Sequence, residues 1–129
     1  MENIIIYTNE ACPYCKQIKE ELNKNNIEFN ERLTTDWKDE WIEISSLTNM
    51  PTVPTLICKD NYLVPGRDFH SAIHLVDIIK NINPFSEIYF SIERKTMEQL
   101  KTLTYHIHMA FSRTDQLLKQ IETKLNKEE

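Results

Sequence analysis

Residues 3–15 read NIIIYTNEACPYC, a β-branched apolar run followed by two cysteines with two residues between them. The run at 3–8 is typical of a strand that is buried on both faces. Pro13 favours a helix start at this point, because its missing N–H would have no partner in a first helical turn. The stretch therefore predicts a central strand that turns into a helix, with both cysteines at the turn.

The predicted first helix runs to about Asn25 and presents its two cysteines differently. Cys15, Ile18 and Leu22 follow at spacings of three and four, so they form the stripe that faces the core. Cys12 stands at the helix start and is expected to be the exposed member of the pair.

Strands and helices alternate through the rest of the first 83 residues. Alternation at 27–33 and apolar runs at 53–58 and 62–64 predict three more strands, the last two joined by a tight turn at 59–61. A second helix, capped by Thr35 or Asp36, and a third, from after Gly66 to about Ile82, are expected between and after them. These helices are expected to bury two stripes: Trp37, Trp41, Ile44 and Leu47 on the second, and Phe69, Ile73, Val76 and Ile79 on the third. The order βαβαββα predicts a small α/β domain over residues 1–83.

Composition narrows the class of protein. The chain has 129 residues, 40% of them apolar, and a net charge of -5, which disfavours nucleic acid as a partner. Its one glycine, Gly66, argues against a Gly-rich phosphate loop. No apolar stretch approaches the roughly 20 residues that span a bilayer, and three cysteines do not make a secreted disulfide framework. We therefore expect a cytoplasmic protein with no membrane partner.

Cys12 and Cys15 point to thiol/disulfide exchange. This reaction requires a thiolate, and a free cysteine with a pKa near 8.5 is only about 3% ionised at pH 7. A helix N-terminus stabilises that anion at Cys12, and Lys16 adds to the field. Cys12 is thus the predicted attacking thiol, and Cys15 resolves the mixed disulfide. The alternative is half of a zinc site, but zinc requires four ligands and the chain has only one further thiol, Cys58.

The other ligand-type residues have no predicted role. Cys58 lies four residues beyond Pro54 along a strand, about 13 Å away, and is expected to be buried and inert. His70 and His74 are four residues apart, but no third ligand accompanies them. We expect no bound metal ion.

Three short motifs together resemble the glutaredoxin family: Ile6-Tyr7-Thr8, Cys12-Pro13-Tyr14-Cys15 and, about 40 residues on, Thr52-Val53-Pro54. The resemblance covers residues 1–82. It implies a thioredoxin-like fold, which is a four-stranded mixed sheet flanked by helices, and glutathione as co-substrate. It also implies a cis peptide bond before Pro54 and a substrate site that includes Tyr14, Val53, Pro54 and Asp68, with the Val53 backbone binding the glutathione cysteine. Read alone, Pro54 could be a strand-edge proline.

The sequence departs from the family at two elements that bind glutathione. Asn9 stands where the family has a Lys or Arg that pairs with a glutathione carboxylate, and Lys38 is the candidate substitute. Arg67 replaces the second glycine of the family's Gly-Gly element, after Gly66. Asp68 is then expected either to hold the glutathione amino group or to cap the last helix.

Residues 84–129 lie outside the resemblance and are predicted to form an α-helical extension. Residues 88–92 fit either a strand or a helix. From about Thr96 a wide heptad stripe begins. Its members are Leu100, Ile107, Thr114 and Ile121, with Leu103, Ala110 and Leu117 beside them and Phe111, Leu118 and Leu125 flanking.

A straight helix of about 30 residues would be some 45 Å long, whereas a domain of 83 residues is about 30 Å across, so it cannot bury the whole stripe there. We expect either a helical hairpin or bundle, or a homodimer through residues 96–126. Packing of the stripe onto its own domain is the alternative.

Together these features predict a glutathione-dependent thiol/disulfide oxidoreductase that acts on disulfide-containing proteins. Two other classes stay open. One is a protein disulfide reductase restored by a thioredoxin reductase-like enzyme, which Asn9 and Arg67 favour. The other is a non-enzymatic assembly module that holds an iron-sulfur cluster with Cys12 and glutathione.

Overall fold

The computed structural model describes residues 3–84 and 91–128, except for the side chains of 91–93 and 126–128. The strands are β1 (Ile4–Thr8), β2 (Phe29–Leu33), β3 (Thr55–Cys58) and β4 (Asn61–Leu63). The helices are α1 (Pro13–Lys24), α2 (Lys38–Thr48), α3 (Ala72–Asn81) and α4 (Ser91–Glu128). Of the segment 88–92, only the last two positions are described, and they belong to α4.

The strands form one mixed sheet in the order β2-β1-β3-β4. β1 pairs with β2 in parallel and with β3 antiparallel, and β3 and β4 form an antiparallel hairpin. Lys59 and Asp60 make its tight turn with φ of 49° and 62°, the left-handed conformation that a two-residue hairpin requires. The predicted thioredoxin-like fold, with β1 as a central strand, is confirmed.

Both faces of β1 are buried, as its apolar run predicts. Ile4 and Ile6 belong to a core cluster that includes Ile18 and Leu22 of α1 and Leu75, Val76 and Ile79 of α3. On the other face Tyr7 packs against Trp41 of α2, with the ring centroids 5.7 Å apart. The sheet therefore lies between α1 and α3 on one side and α2 on the other.

The start of α2 differs from the prediction. Neither Thr35 nor Asp36 caps it, because the N–H groups of Asp36 and Trp37 both bind the Leu33 carbonyl in a turn and the helix begins only at Lys38. Trp37 is 41% exposed, beneath the Arg32 guanidinium, and only the later part of the predicted stripe, at Ile44, is fully buried.

The start of α3 also differs. Ser71 caps this helix by accepting a hydrogen bond from the His74 N–H, so the predicted cap at Asp68 is wrong. Because α3 begins later than predicted, a different face of it is buried. Phe69 is buried in the turn before the helix, Ile73 is 73% exposed, and Leu75 faces the core.

α4 is one continuous helix of 38 residues, about 57 Å long, so a hairpin within the chain is wrong. It packs against α2 and the β4–α3 loop through Glu98 and Thr102, both of which are buried. The apolar residues lie roughly opposite, about 150° around the helix from these two. We call them the α4 stripe: Leu100, Leu103, Ile107, Phe111, Leu117, Leu118, Ile121 and Leu125. Every member is exposed, so packing of this stripe onto its own domain is also wrong. The domain limits 1–83 and 84–129 stay a prediction.

Candidate redox site

Cys12 and Cys15 form a disulfide at the N-terminus of α1, with a Cα–Cα distance of 5.3 Å. Cys12 is the N-cap residue, and its Sγ accepts a hydrogen bond from the Cys15 N–H at 3.1 Å. Cys12 is partly exposed, whereas Cys15 is 1% exposed and faces the core with Ile18. The predicted asymmetry of the pair is confirmed.

Asn9 shapes the loop that leads to Cys12. Its side-chain oxygen accepts from the Ala11 N–H at 2.9 Å, and its backbone carbonyl accepts from the Cys12 N–H at 3.2 Å. This is an Asx turn, which Asn forms readily because its side chain imitates a backbone carbonyl. From the sequence, Asn9 was predicted only to lack the charge of a Lys or Arg. The preference of Asn for such turns, two residues before a small residue, could have indicated its role in the loop.

Pro54 lies beside the end of β1. The peptide bond between Val53 and Pro54 is cis, as the resemblance implied, and Pro54 is buried. Tyr7 pairs with Thr55 in the antiparallel ladder, so the register places Pro54 next to Thr8, just before the cysteine loop. The Val53 segment and the loop that carries Cys12 therefore both lie at the C-terminal end of β1.

Tyr14 joins α1 to the loop that carries Asp68. Its half-buried ring stacks on Phe69 with 6.3 Å between centroids, and burial raises the pKa of its hydroxyl. Tyr14 thus contacts, through Phe69, the loop that carries Asp68. The roles of Tyr14, Val53, Pro54 and Asp68 as substrate-binding residues stay predictions.

Comparison with known proteins agrees with this geometry. The family model described as Glutaredoxin matches residues 4–63. Glutaredoxin 1 of Rickettsia prowazekii (strain Madrid E) is 38% identical over 72 residues, which cover 53% of this chain and 73% of that protein. An uncharacterized glutaredoxin-like 8.6 kDa protein in the rubredoxin operon of Clostridium pasteurianum is 36% identical over 61 residues, covering 47% and 81%. This chain belongs to the glutaredoxin family.

A solution structure of glutaredoxin from Brucella melitensis is also similar to this glutaredoxin, at 24% identity and a TM-score of 0.47, covering 62% of this chain and 80% of that one. Family membership supports thiol/disulfide oxidoreduction as the general activity. The family match ends at residue 63, so α4 lies outside it.

In this glutaredoxin the second-glycine position has become a structural anchor. The Arg67 side chain is 2% exposed and forms ion pairs with Asp68 at 2.7 Å and with Glu98 of α4 at 2.8 Å. Its guanidinium also donates to the Tyr62 carbonyl at 3.1 Å and to Thr102 Oγ1 at 3.4 Å. Arg67 therefore holds α4 on the domain, and its donors are already engaged within the protein.

Asp68 is partly engaged as well. Its Oδ2 accepts from the Val64 N–H at 2.8 Å and pairs with Arg67. It lines a groove of about 830 Å³ between α4 and the β4–α3 loop, which we call the α4 groove. The groove is lined by Gly66, Arg67, Asp68 and His70 of the loop and by seven α4 residues, among them Met97, Leu100, Lys101, Thr104 and Tyr105.

Gly66→Ala is expected to lower the free energy of unfolding by about 1–2 kcal/mol, because Gly66 has a φ of +84°, which disfavours a side chain. An added Cβ would also lie 3.0 Å from Tyr105 Oη. Urea unfolding measures the loss. Adding Tyr105→Phe, which removes that oxygen, should restore part of it; full stability of Gly66→Ala would contradict the backbone argument.

A polar cluster connects the start of α2 to the C-terminal end of β1. The Tyr7 hydroxyl donates to Glu40 Oε2 at 2.9 Å and accepts from Arg32 Nη1 at 3.2 Å, and Arg32 also pairs with Glu40. Burial is the main cause that raises the pKa of Tyr7; the Arg32 hydrogen bond lowers it and Glu40 raises it.

This raised pKa predicts a loss of stability in alkali. Between the ordinary pKa of 10.0 and the higher folded value, the unfolded chain releases the Tyr7 proton first, so this contribution is complete below pH 10 and falls as the pH rises. The urea midpoint should therefore fall more steeply above pH 10 for wild type than for Tyr7→Phe. Equal slopes for the two proteins would contradict this assignment, and absorbance of the phenolate at 295 nm provides an independent titration.

The remaining ligand-type residues considered from the sequence are Cys58, His70 and His74. Cys58 is 2% exposed and packs in the core cluster, as predicted. The His70 and His74 rings stack with 5.4 Å between centroids, and the His70 N–H donates to His74 Nδ1. Over residues 3–84 and 91–128, no group of three or more His, Cys, Asp or Glu side chains is arranged to hold a metal ion. Over the same residues, none of the helices has the length and apolar character to cross a membrane.

Proposed function

We propose that the chain is a glutathione-dependent thiol/disulfide oxidoreductase in which Cys12 attacks and Cys15 resolves. The observation that supports it best is the Cys15 N–H directed at Cys12 Sγ at the start of α1. A hydrogen bond and a helix N-terminus both favour a thiolate over a thiol, so Cys12 is the better nucleophile of the pair in the reduced protein. Burial makes Cys15 accessible only to a disulfide on Cys12.

The proposed catalytic cycle consists of four thiol/disulfide exchanges. The Cys12 thiolate attacks a substrate disulfide, forms a mixed disulfide and releases one substrate thiolate, which takes up a proton. Cys15 loses its proton and attacks Cys12 Sγ, which releases the second substrate thiol and leaves the disulfide seen here. One glutathione thiolate then attacks Cys12 and frees Cys15. A second glutathione attacks that mixed disulfide, which regenerates the dithiol and yields glutathione disulfide.

The proposed glutathione site lies along Val53, Pro54, Tyr14 and Asp68. The Val53 backbone, in the segment beside the cysteine loop, is a candidate partner for the glutathione cysteine. The Asp68 carboxylate is a candidate partner for the glutathione amino group, since it accepts hydrogen bonds and carries a negative charge. Arg67 already pairs with Oδ2 of this carboxylate, so the amino group would bind Asp68 alongside that ion pair.

One alternative has a specific observation in its favour. Asn9 builds the loop in place of a cation, and Arg67 is buried in ion pairs, so neither offers a free charge to a glutathione carboxylate. A protein disulfide reductase restored by a thioredoxin reductase-like enzyme would use the same cysteines without a glutathione site.

The test is reduction of a glutathione mixed disulfide with glutathione and glutathione reductase as the sole electron source. Turnover by wild type, with a KM raised several-fold in Asp68→Asn and unchanged in Asp77→Asn, is the expected result. Asp77→Asn is the matched control because Asp77 is an exposed carboxylate on α3. Turnover only when thioredoxin reductase is supplied would overturn glutathione use and favour the alternative.

We also propose a cytoplasmic location, disulfide-containing proteins as substrates, and self-association through residues 96–126. The exposed α4 stripe supports the last of these, since monomeric proteins rarely expose a continuous apolar patch of this length. The iron-sulfur class would require a coloured protein after anaerobic purification, and a colourless one excludes it.

A further inference from the structure

We propose that two copies of the chain pair through α4 in an antiparallel arrangement, which closes the α4 groove of each copy with the helix end of the other. This proposal rests on the self-association proposed above and adds its orientation and its consequence for the site. The occupant of the α4 stripe is thus a second copy of this chain.

The area of the stripe fits a stable dimer. Its eight side chains are 46–71% exposed. At roughly 100 Å² of apolar surface each, they offer about 800 Å² per chain, which is the contribution of one partner to a standard interface. The face that meets the domain, at Glu98 and Thr102, points away from the stripe, so each domain lies on the outer side of the helix pair and does not obstruct it.

The edges of the stripe favour the antiparallel orientation. One edge is mainly apolar and carries Phe111, Leu118 and Leu125 after Thr104; the other is polar and carries Gln99, His106, Arg113 and Gln120. In a parallel pair of helices each edge faces the opposite edge of its partner, which would set Phe111 and Leu118 against polar and basic side chains. In an antiparallel pair each edge faces its own copy, so the apolar edges meet and the polar edges stay in solvent.

One register places apolar side chains opposite each other along the pair. With the two-fold axis near residues 111 and 112, Leu103 faces Ile121 of the partner subunit and Ile107 faces Leu117 of the partner subunit, while the two Phe111 rings meet at the axis. Ala110 and Thr114 leave space at the centre of the pair because they are small. Phe111, the largest side chain of the stripe, fills this space.

The charges on the helix surface beyond the apolar edge also favour the antiparallel orientation. Lys101 lies in the first half of this surface, and Asp115 and Glu122 lie in its second half. An antiparallel pair sets the first half of one helix beside the second half of the other, so the unlike charges attract without direct contact. Lys101 can keep its pair with the buried Glu98, and Asp115 its exposed pair with Lys119.

The pairing changes the site. Met97, Leu100 and Thr104 line the α4 groove, and the antiparallel register brings residues 118–125 of the partner copy against these three. The groove that holds Asp68 then has a third wall supplied by the other copy. Substrate that extends from Cys12 past Asp68 would contact both chains.

Light scattering of the full chain should give twice its mass of 15.4 kDa, and Phe111→Glu should give a single chain mass. Gln116→Glu is the matched control, because it adds the same charge to an exposed position of α4 outside the stripe, and should remain dimeric. Monomeric wild type, or an equal effect of both variants, would overturn the proposal.

The orientation of the two helices is measured as the distance between spin labels attached at Thr123→Cys in a Cys12→Ser/Cys15→Ser chain. Cys58 is buried and so is not expected to react with the label. The antiparallel register predicts about 35 Å between the two labelled positions along the helix axis, from 1.5 Å per residue. A separation near 15 Å would mean a parallel pair and overturn the orientation. Because this chain lacks the redox cysteines, either outcome is independent of whether glutathione is the reductant.

Discussion

Cys12→Ser is expected to abolish disulfide reduction, with a loss of at least about three orders of magnitude, because a hydroxyl cannot replace a thiolate in the first exchange. Cys15→Ser should behave differently. It leaves Cys12 Sγ at the start of α1 with its backbone environment, so the variant can still reduce a glutathione mixed disulfide, in which a second glutathione completes the cycle.

Two substrates separate these roles. With a glutathione mixed disulfide, Cys15→Ser should retain a substantial part of the rate; with a protein disulfide it should instead accumulate a mixed disulfide, visible as a slower band on a non-reducing gel. Cys58→Ala is the control for loss of a thiol, since Cys58 is buried away from the site, and should keep wild-type activity per folded molecule. Full activity of Cys12→Ser, or equal loss in Cys12→Ser and Cys15→Ser on both substrates, would contradict the assignment.

Glu98→Ala should destabilise the protein by up to about 3–5 kcal/mol, because the buried Arg67 loses one of its two carboxylate partners and keeps only Asp68. The side chains of Glu98 and Arg67 are 1% and 2% exposed, so water does not readily replace the lost carboxylate while α4 stays in place. The variant should therefore either lose stability globally or release α4 from the domain. Urea unfolding measures the free energy, and hydrogen exchange at residues 94–105 distinguishes the two results.

The matched control for that variant is Lys101→Ala. Lys101 pairs with the same carboxylate, Glu98, but is 44% exposed, so the expected cost is below about 1 kcal/mol. Replacing both members, as in Arg67→Met with Glu98→Leu, should recover most of the loss, because two apolar side chains leave no buried charge. A loss for Glu98→Ala no larger than that for Lys101→Ala would show that the buried pair does not hold α4.

Much of the site was predictable from local sequence. Pro13 and the stripe Cys15, Ile18 and Leu22 predict where α1 begins and which cysteine is buried, because both follow from helix geometry over a few residues. The hairpin at Lys59 and Asp60 was predictable for the same reason. The caps were not. Ser71 caps α3 and no side chain caps α2, because the turns after Leu33 and Val64 delay both helices.

Local sequence patterns were enough to predict the order of the elements, the cysteine pair at a helix N-terminus and a long amphipathic helix at the C-terminus. The face of that helix that meets the domain depends instead on long-range packing. Periodicity shows which residues share a face, and an apolar stripe leads one to expect burial against some partner, but it does not show which face of the helix meets the chain's own domain. Here Arg67 meets Glu98 across 31 residues and Thr102 donates to the Thr48 carbonyl, so a polar face is buried and the apolar stripe is left exposed. Contacts between residues so far apart depend on how the elements pack, and no local pattern specifies them.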